Sequence, residues 1–202
     1  MPVTFTQALR DEYQRLFDTC VVRPEKVPEA SALTARIVSN RARYETVARK
    51  LGMTPWPFVA VIHCMESSLS FTKHLHNGDP LTARTFHVPA GRPLVWNPPN
   101  DWESSADDAL RMKKVQLVTD WSLPALLFRL ESYNGLGYRT KHPEVLSPYL
   151  WSFSNQYLKG KFVADGAFDP NAVSKQCGAA VLLLTMARGG IITLAQSASA
   201  TT

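Results

Sequence analysis

The spacing of apolar residues predicts helices over most of the chain. Apolar positions recur every three to four residues over residues 5–20 and again over residues 27–51, which is the period of an amphipathic helix. Residues 55–65 are apolar on nearly all sides, so we expect a helix at the centre of the fold. The same pattern predicts further helices through residues 109–117, from Ser122 to Asn134, through residues 151–157 and over residues 173–188.

One stretch between these helices follows a different period. Residues 70–76 and 85–88 alternate between apolar and polar side chains, and Asn-Gly-Asp-Pro at residues 77–80 is a typical turn sequence. We therefore expect a small β-hairpin or irregular sheet beside the helix over residues 55–65. The predicted fold class is α+β, mostly α.

The predicted elements form one domain with additions at both ends. Residues 1–52 are expected to form a helical extension packed on a core domain of residues 53–196, followed by a frayed polar tail, residues 197–202. A chain of 202 residues with 45% apolar and 19% charged residues has the composition of a globular protein. Its length is sufficient for a sizeable core.

The charge balance bears on the partners of the protein. The formal net charge is +5 and the pI is about 9.2, which favours polyanionic partners such as a bacterial cell wall with its acidic groups. Nucleic acid is a second polyanion, but the sequence has no run of five or more basic residues. We therefore expect no nucleic-acid partner.

Cysteine usage and the N-terminus bear on localisation. The three cysteines, Cys20, Cys64 and Cys177, are odd in number and form no Cys-x-x-Cys pair, so neither a disulfide framework nor a cysteine zinc site is expected. This usage fits synthesis in a reducing cytoplasm. Residues 1–5 lack the features of a signal peptide, and no apolar run reaches the roughly 18 residues that span a membrane, so no stable membrane insertion is expected.

Two short motifs carry the candidate chemistry. Glu66-Ser67 stands at the end of the predicted apolar helix, and Tyr133-Asn134-Gly135 ends a second one. Apolar neighbours of Glu66 (Ile62, Met65 and Leu69) would partly desolvate its carboxyl group and raise its pKa, as glycosidic bond cleavage requires of its acid. The alternative is an exposed glutamate at a helix end with no catalytic role.

These motifs resemble those of the lytic transglycosylases and goose-type lysozymes of the lysozyme superfamily. In that group a Glu-Ser pair closes a core helix and a Tyr-Asn pair lies in a later helix-end turn. The resemblance covers the helix order between Pro55 and Tyr157, and implies a lysozyme-like catalytic domain over residues 53–196. It implies that Glu66 is the general acid, that Tyr133 orients it, and that Asn134 supports them.

The segment after Glu66 departs from that group. Its Gly-Leu-Met-Gln sequence is missing, and residues 73–81 look more like the hairpin of a phage endolysin or chitinase. There Asp79 is the best candidate for a second catalytic carboxylate, which would position the attacking water. Because Asn-Gly-Asp-Pro is also ordinary turn chemistry, Asp79 is alternatively a turn residue, and Thr82 or Thr85 would then hold the water.

Other residues are candidates for contact with the substrate. His74 and His76 form a His-x-His pair that could contact sugar, face solvent, or bind zinc with Asp79 or His87; we expect no metal. Candidates for stacking on sugar rings are Trp96, Trp102 and Trp151, with Asn155 as a hydrogen-bonding residue and a core position as the alternative for each tryptophan. Glu131 is either a surface residue at a helix end or a second carboxylate.

The predicted function is therefore that of a peptidoglycan-degrading glycoside hydrolase, a muramidase or endolysin of phage type, acting on glycan strands as a monomer without a cofactor. Made in the cytoplasm, it would reach the wall by holin-type or other assisted release. A lytic transglycosylase or a chitinase-like glycosidase is the alternative within this class. A non-catalytic module that binds the cell wall or has a structural role is the alternative from another class.

Overall fold

Helices dominate the computed structural model of the protein, which describes residues 3–96 and 101–195. About 50% of the structure is helical and it contains a small two-stranded antiparallel sheet, which confirms a mostly α, α+β fold class. In chain order the helices are α1 Gln7–Asp18, α2 Val27–Ser39, α3 Arg41–Lys50, α4 Trp56–Ser67, α5 Trp102–Met112, α6 Leu123–Asn134, α7 Gly137–Lys141, α8 Pro148–Trp151 and α9 Ala179–Arg188. Short 3-10 turns span Pro24–Lys26 and Val115–Leu117, and the strands are β1 Lys161–Ala164 and β2 Ala167–Asp169.

The chain divides into two compact units. One is Ala35–Thr119, and the other consists of the described residues up to Thr34 and from Asp120 onward. These units divide the chain at other points than the predicted boundary after residue 52, and the predicted domains stay a prediction. The predicted frayed tail, residues 197–202, lies outside the described residues.

The unit Ala35–Thr119 is built around α4. Helix α3 packs against both α4 and α5, and nine consecutive residues of α4, from Pro57 to Met65, are buried. His63 belongs to this core: its Nδ1 lies 3.0 Å from the hydroxyl of Tyr44, and its ring is 4.3 Å from that of Trp102. The apolar run in the sequence therefore forms the buried central helix that it predicts.

The other unit is built around α6, α8 and α9. Helix α1 packs against α6, and α8 packs against α9, which is buried over most of its length. The residue before α9 is Gly178, where an added Cβ would lie 2.2 Å from the backbone oxygen of Leu150. Only glycine allows two backbone segments to approach so closely.

The expected β-structure is found in another place. Residues 70–88 contain only an isolated bridge between Lys73 and Pro80. The prediction of a hairpin beside the apolar helix is therefore wrong. Pro80 and Pro89 have no backbone N–H to donate to a neighbouring strand. The side chains of Asp79 and Thr85 accept from the backbone N–H groups of Phe86, His87 and Arg92. The sheet is instead a hairpin of β1 and β2, in which Phe162 pairs with Phe168.

Several predicted helices are shorter than expected. The helix over residues 27–51 is broken at Asn40, whose side-chain amide donates to the carbonyl of Arg36 (2.9 Å) and so replaces a backbone donor. The helices expected to continue to residues 117 and 157 end at Met112 and Trp151, and the last helix begins at Ala179. Sequence analysis also misses α7.

Candidate active site

The structure describes all twelve residues of α4, and Glu66 is the only one of them that is exposed. The helix ends directly after it because Ser68 and Leu69 adopt left-handed backbone conformations, with φ of 53° and 61°. The N–H of Leu69 and the hydroxyl of Ser67 both donate to the carbonyl of His63, at 3.3 and 3.2 Å. The end of α4 is therefore fixed by local hydrogen bonds while Glu66 faces water.

The partial desolvation expected for Glu66 stays a prediction, because the structure gives only the burial of the residues around it. Ile62, Met65 and Leu69 are all buried in the core of their unit, whereas Glu66 is exposed. The apolar side chains nearest in sequence therefore turn away from the water around the carboxyl group.

Asp79 is buried, with 4% of its surface exposed, and it organises the loop around it. Its Oδ2 accepts hydrogen bonds from the backbone N–H groups of Phe86 (2.8 Å) and His87 (3.0 Å) and from the side chain of Asn77 (3.0 Å). Its Oδ1 lies 2.6 Å from Nδ1 of His87. Burial alone would raise the pKa of Asp79, but the hydrogen bonds from His87 and Phe86 hold it well below its usual range.

This arrangement corresponds to the turn-residue alternative for Asp79. A carboxylate that accepts several loop hydrogen bonds stays ionised and has few lone pairs left for a water molecule. Thr85 is likewise buried, donating to the carbonyl of Pro89 (2.5 Å) and accepting from the N–H of Arg92 (2.9 Å). Thr82 is exposed.

The imidazole rings of the His-x-His pair are both enclosed, since His74 has no exposed surface and the side chain of His76 is 1% exposed. His74 lies with Nδ1 2.7 Å from the hydroxyl of Ser105 and Nε2 2.7 Å from the carbonyl of Ala83. His76 lies 2.8 Å from a carboxylate oxygen of Asp108, and burial lowers its pKa. Both rings therefore connect the loop to its own unit.

The remaining predicted residues belong to the other compact unit. At the end of α6, Tyr133 is half-buried and Asn134 is exposed. Asn134 lines a pocket of about 370 Å³, together with Tyr138 and Phe162. The joint role predicted for Glu66 and Tyr133 stays a prediction.

Trp151 and Asn155, two predicted sugar contacts, both make contacts within the fold. Trp151 has no exposed surface. The side-chain oxygen of Asn155 accepts from the N–H of Val21 (2.8 Å), and its side-chain nitrogen donates to the carbonyl of Thr19 (3.1 Å). The core therefore encloses Trp151, whereas Asn155 is exposed and its predicted contact with a sugar stays a prediction.

Sequence analysis missed a buried ionic cluster around Glu131. This carboxylate has 2% of its surface exposed, accepts from the hydroxyl of Tyr13, and pairs with the guanidinium of Arg139 at 2.9 Å. Arg139 also pairs with Glu12 at 3.0 Å. Burial and the negative charge of Glu131 raise the pKa of Tyr13. Because Tyr13 lies 118 residues before Glu131, no local spacing could have revealed the pair.

A metal site is not evident in the part of the chain that the structure describes: it contains no cluster of three or more His, Cys, Asp or Glu residues able to hold an ion. The three cysteines, Cys20, Cys64 and Cys177, are buried. Within the same described ranges, no helix has both the length and the apolar character to cross a membrane.

No protein-family model, curated protein or solved structure matches the chain. The resemblance to the lysozyme superfamily therefore rests on the two motifs and the helix order between Pro55 and Tyr157.

Proposed function

We propose that the protein is a glycosidase that cleaves the glycan strands of peptidoglycan, with Glu66 as the general acid. The observation that supports the proposal most is the position of Glu66, the exposed residue at the fixed end of an otherwise buried helix. Rigid elements hold catalytic groups in place better than loops do. A surface carboxylate on such an element is accessible to a polymer that cannot enter a closed cavity.

The chemistry requires Glu66 to be protonated when the glycan binds. A sugar lying over the carboxyl group would displace water, and loss of water favours the neutral acid. The acid then gives its proton to the glycosidic oxygen as the bond to the sugar carbon breaks, leaving an oxocarbenium-like centre. A second group must supply or stabilise the nucleophile at that centre.

The surroundings of Asp79 favour a second candidate, a lytic transglycosylase. Hydrogen bonds within the loop already occupy this carboxylate, so it is poorly suited to activate water. In a transglycosylase a hydroxyl group of the sugar itself attacks, which leaves an anhydro-muramic end. This reaction needs no water-activating carboxylate.

The test compares wild-type protein with Glu66→Gln on purified cell walls. The substitution keeps the size of the side chain and removes the proton donor, so we expect clearing to fall by about 10²–10⁴-fold. Glu25→Gln, at another exposed glutamate, is the matched control and should clear walls like the wild type. Equal clearing by wild type and Glu66→Gln would refute the proposal. Mass spectrometry of the products distinguishes reducing ends, which indicate hydrolysis, from anhydro-muramic ends.

A further inference from the structure

An open groove in the unit Ala35–Thr119 has a volume of about 460 Å³. One wall is the loop segment 93–96, and the other is the outer face of α5 together with Lys50. Among the described residues that line the groove, Glu66 does not appear. The groove is therefore a separate feature from the proposed catalytic carboxyl group.

The loop wall of the groove is apolar and exposed. Leu94 and Val95 have 67% and 73% of their surface exposed, and Trp96 is half-buried beside them. The Trp96 ring lies 5.1 Å from the ring of His74, which Ser105 and Ala83 hold in place. Neighbouring apolar side chains that remain in water are typical of a binding surface, and this one has a supported aromatic ring.

The facing wall of the groove is polar and preorganised. Ser104, Asp107, Asp108 and Arg111 follow the three- and four-residue spacing that places side chains on one side of a helix. Asp107 is held by Arg111 at 2.9 Å. An ionised carboxylate has about four acceptor positions, so such pairing fixes the group without using all of them.

Asp108 is held more firmly than Asp107. Arg92 donates to both of its oxygens, at 2.6 and 2.9 Å, and His76 lies 2.8 Å from one of them. Because Arg92 and His76 already order this carboxylate, binding of a donor ligand costs little side-chain conformational entropy.

We propose that this groove binds a stretch of glycan chain. A pyranose ring has an apolar C–H face and a rim of hydroxyl donors, which match the indole wall and the carboxylate wall respectively. The lining carboxylates of Asp101, Asp107 and Asp108 favour a sugar over nucleic acid, because sugar hydroxyl groups can donate to them and backbone phosphates have no donor to offer. The choice of an N-acetylglucosamine-containing glycan rests on the proposed function, but binding in the groove is separable from cleavage at Glu66.

The test titrates tetra-N-acetylchitotetraose into the Glu66→Gln protein by calorimetry, so that cleavage does not interfere. Trp96→Ala in this background should weaken binding by at least about tenfold, as truncation of an aromatic anchor does. The matched control is Trp56→Ala, which removes another half-buried indole of the same unit from outside the groove lining and should leave binding unchanged. A second variant, Leu94→Ser, changes an exposed side chain and should weaken binding severalfold with an unchanged melting temperature.

The proposal is overturned if the tetrasaccharide does not bind, if Trp96→Ala and Leu94→Ser bind it as tightly as their parent, or if free stem peptide binds the groove in its place. The outcome is independent of catalysis. Wild-type protein that binds the tetrasaccharide through Trp96 but clears no walls would refute the glycosidase and keep the groove. Wall clearing that depends on Glu66, with no effect of Trp96→Ala on tetrasaccharide binding, would keep the glycosidase and refute the groove.

Discussion

The ends of α4 and α6 each carry a glutamate, and the two surroundings are opposite. Glu66 on α4 is exposed to water, whereas Glu131 on α6 is buried between Tyr13 and Arg139. A buried carboxylate must be paired, and its partners then occupy it, while an exposed one stays accessible to a ligand. Two glutamates in the same position of the sequence pattern, at the end of an apolar helix, can therefore differ completely in burial.

The largest expected effect on stability is at Glu131. We expect Glu131→Gln to lower the free energy of unfolding by about 2–3 kcal/mol, because Arg139 then keeps only Glu12 as an ionic partner and the buried Tyr13 loses its charged acceptor. Urea denaturation at neutral pH measures this change. A loss below about 1 kcal/mol would contradict the assignment of Glu131 as a structural group.

The buried face of α4 carries a titratable group, His63, that makes stability depend on pH. Burial lowers the pKa of His63 to about 4, whereas the unfolded chain titrates near the ordinary value of 6.5. Above pH 6.5 both states are neutral, and as pH falls from 6.5 towards 4 only the unfolded state gains the proton. Stability is therefore fully present above pH 6.5 and should fall by about 2–3 kcal/mol by pH 4.

Urea midpoints at several pH values measure this loss in the wild type and in His63→Gln. His76 also has a pKa lowered by burial and contributes over the same range, so the difference between the two proteins isolates His63. If the urea midpoint falls equally with pH in both proteins, His63 is not the group that titrates.

Asp79 gives a smaller effect in a more acidic range. Its folded pKa lies below the unfolded value near 3.9, so its contribution is present above pH 4 and is lost as pH falls further. Asp79→Asn should lower the urea midpoint at pH 7, because an amide nitrogen would face donors of the loop. Asp165→Asn, in the exposed turn between β1 and β2, is the matched control. Equal stability of both variants would mean that Asp79 does not hold the loop together.

The smallest expected effect on stability is at Glu66 itself. Substitution of an exposed residue usually changes the free energy of unfolding by no more than about 0.5 kcal/mol. Glu66→Gln should therefore unfold at the wild-type urea concentration, in contrast to Glu131→Gln. A large loss of stability would mean that any loss of wall clearing by Glu66→Gln reports misfolding.

The helix ends of this comparison were predictable from sequence, but their surroundings were not. Local rules place Glu66 at the end of α4 and Tyr133-Asn134 at the end of α6, because apolar spacing and turn residues act over a few positions. The burial of Glu131 depends on Tyr13, a contact that spacing along the chain does not encode.

The misplaced sheet has a different cause. Alternation in residues 70–88 suggested strands, yet the side chains of Asp79 and Thr85 bind the backbone groups that a ladder would use. The sequence did contain a signal for the true hairpin. Asp165-Gly166 between two apolar segments is a strong turn dipeptide, and it joins β1 to β2.

The burial of the three cysteines makes the two units distinguishable in solution. A thiol enclosed in the fold reacts with a labelling reagent only after the surrounding structure opens, so its modification rate measures the frequency of that opening. Burial also raises the pKa of Cys64 to about 11, which keeps it in the unreactive thiol form at neutral pH. Cys64 lies in the unit Ala35–Thr119, and Cys20 and Cys177 lie in the other. Timed alkylation followed by peptide mass spectrometry would thus rank the kinetic stability of each unit without any engineered probe.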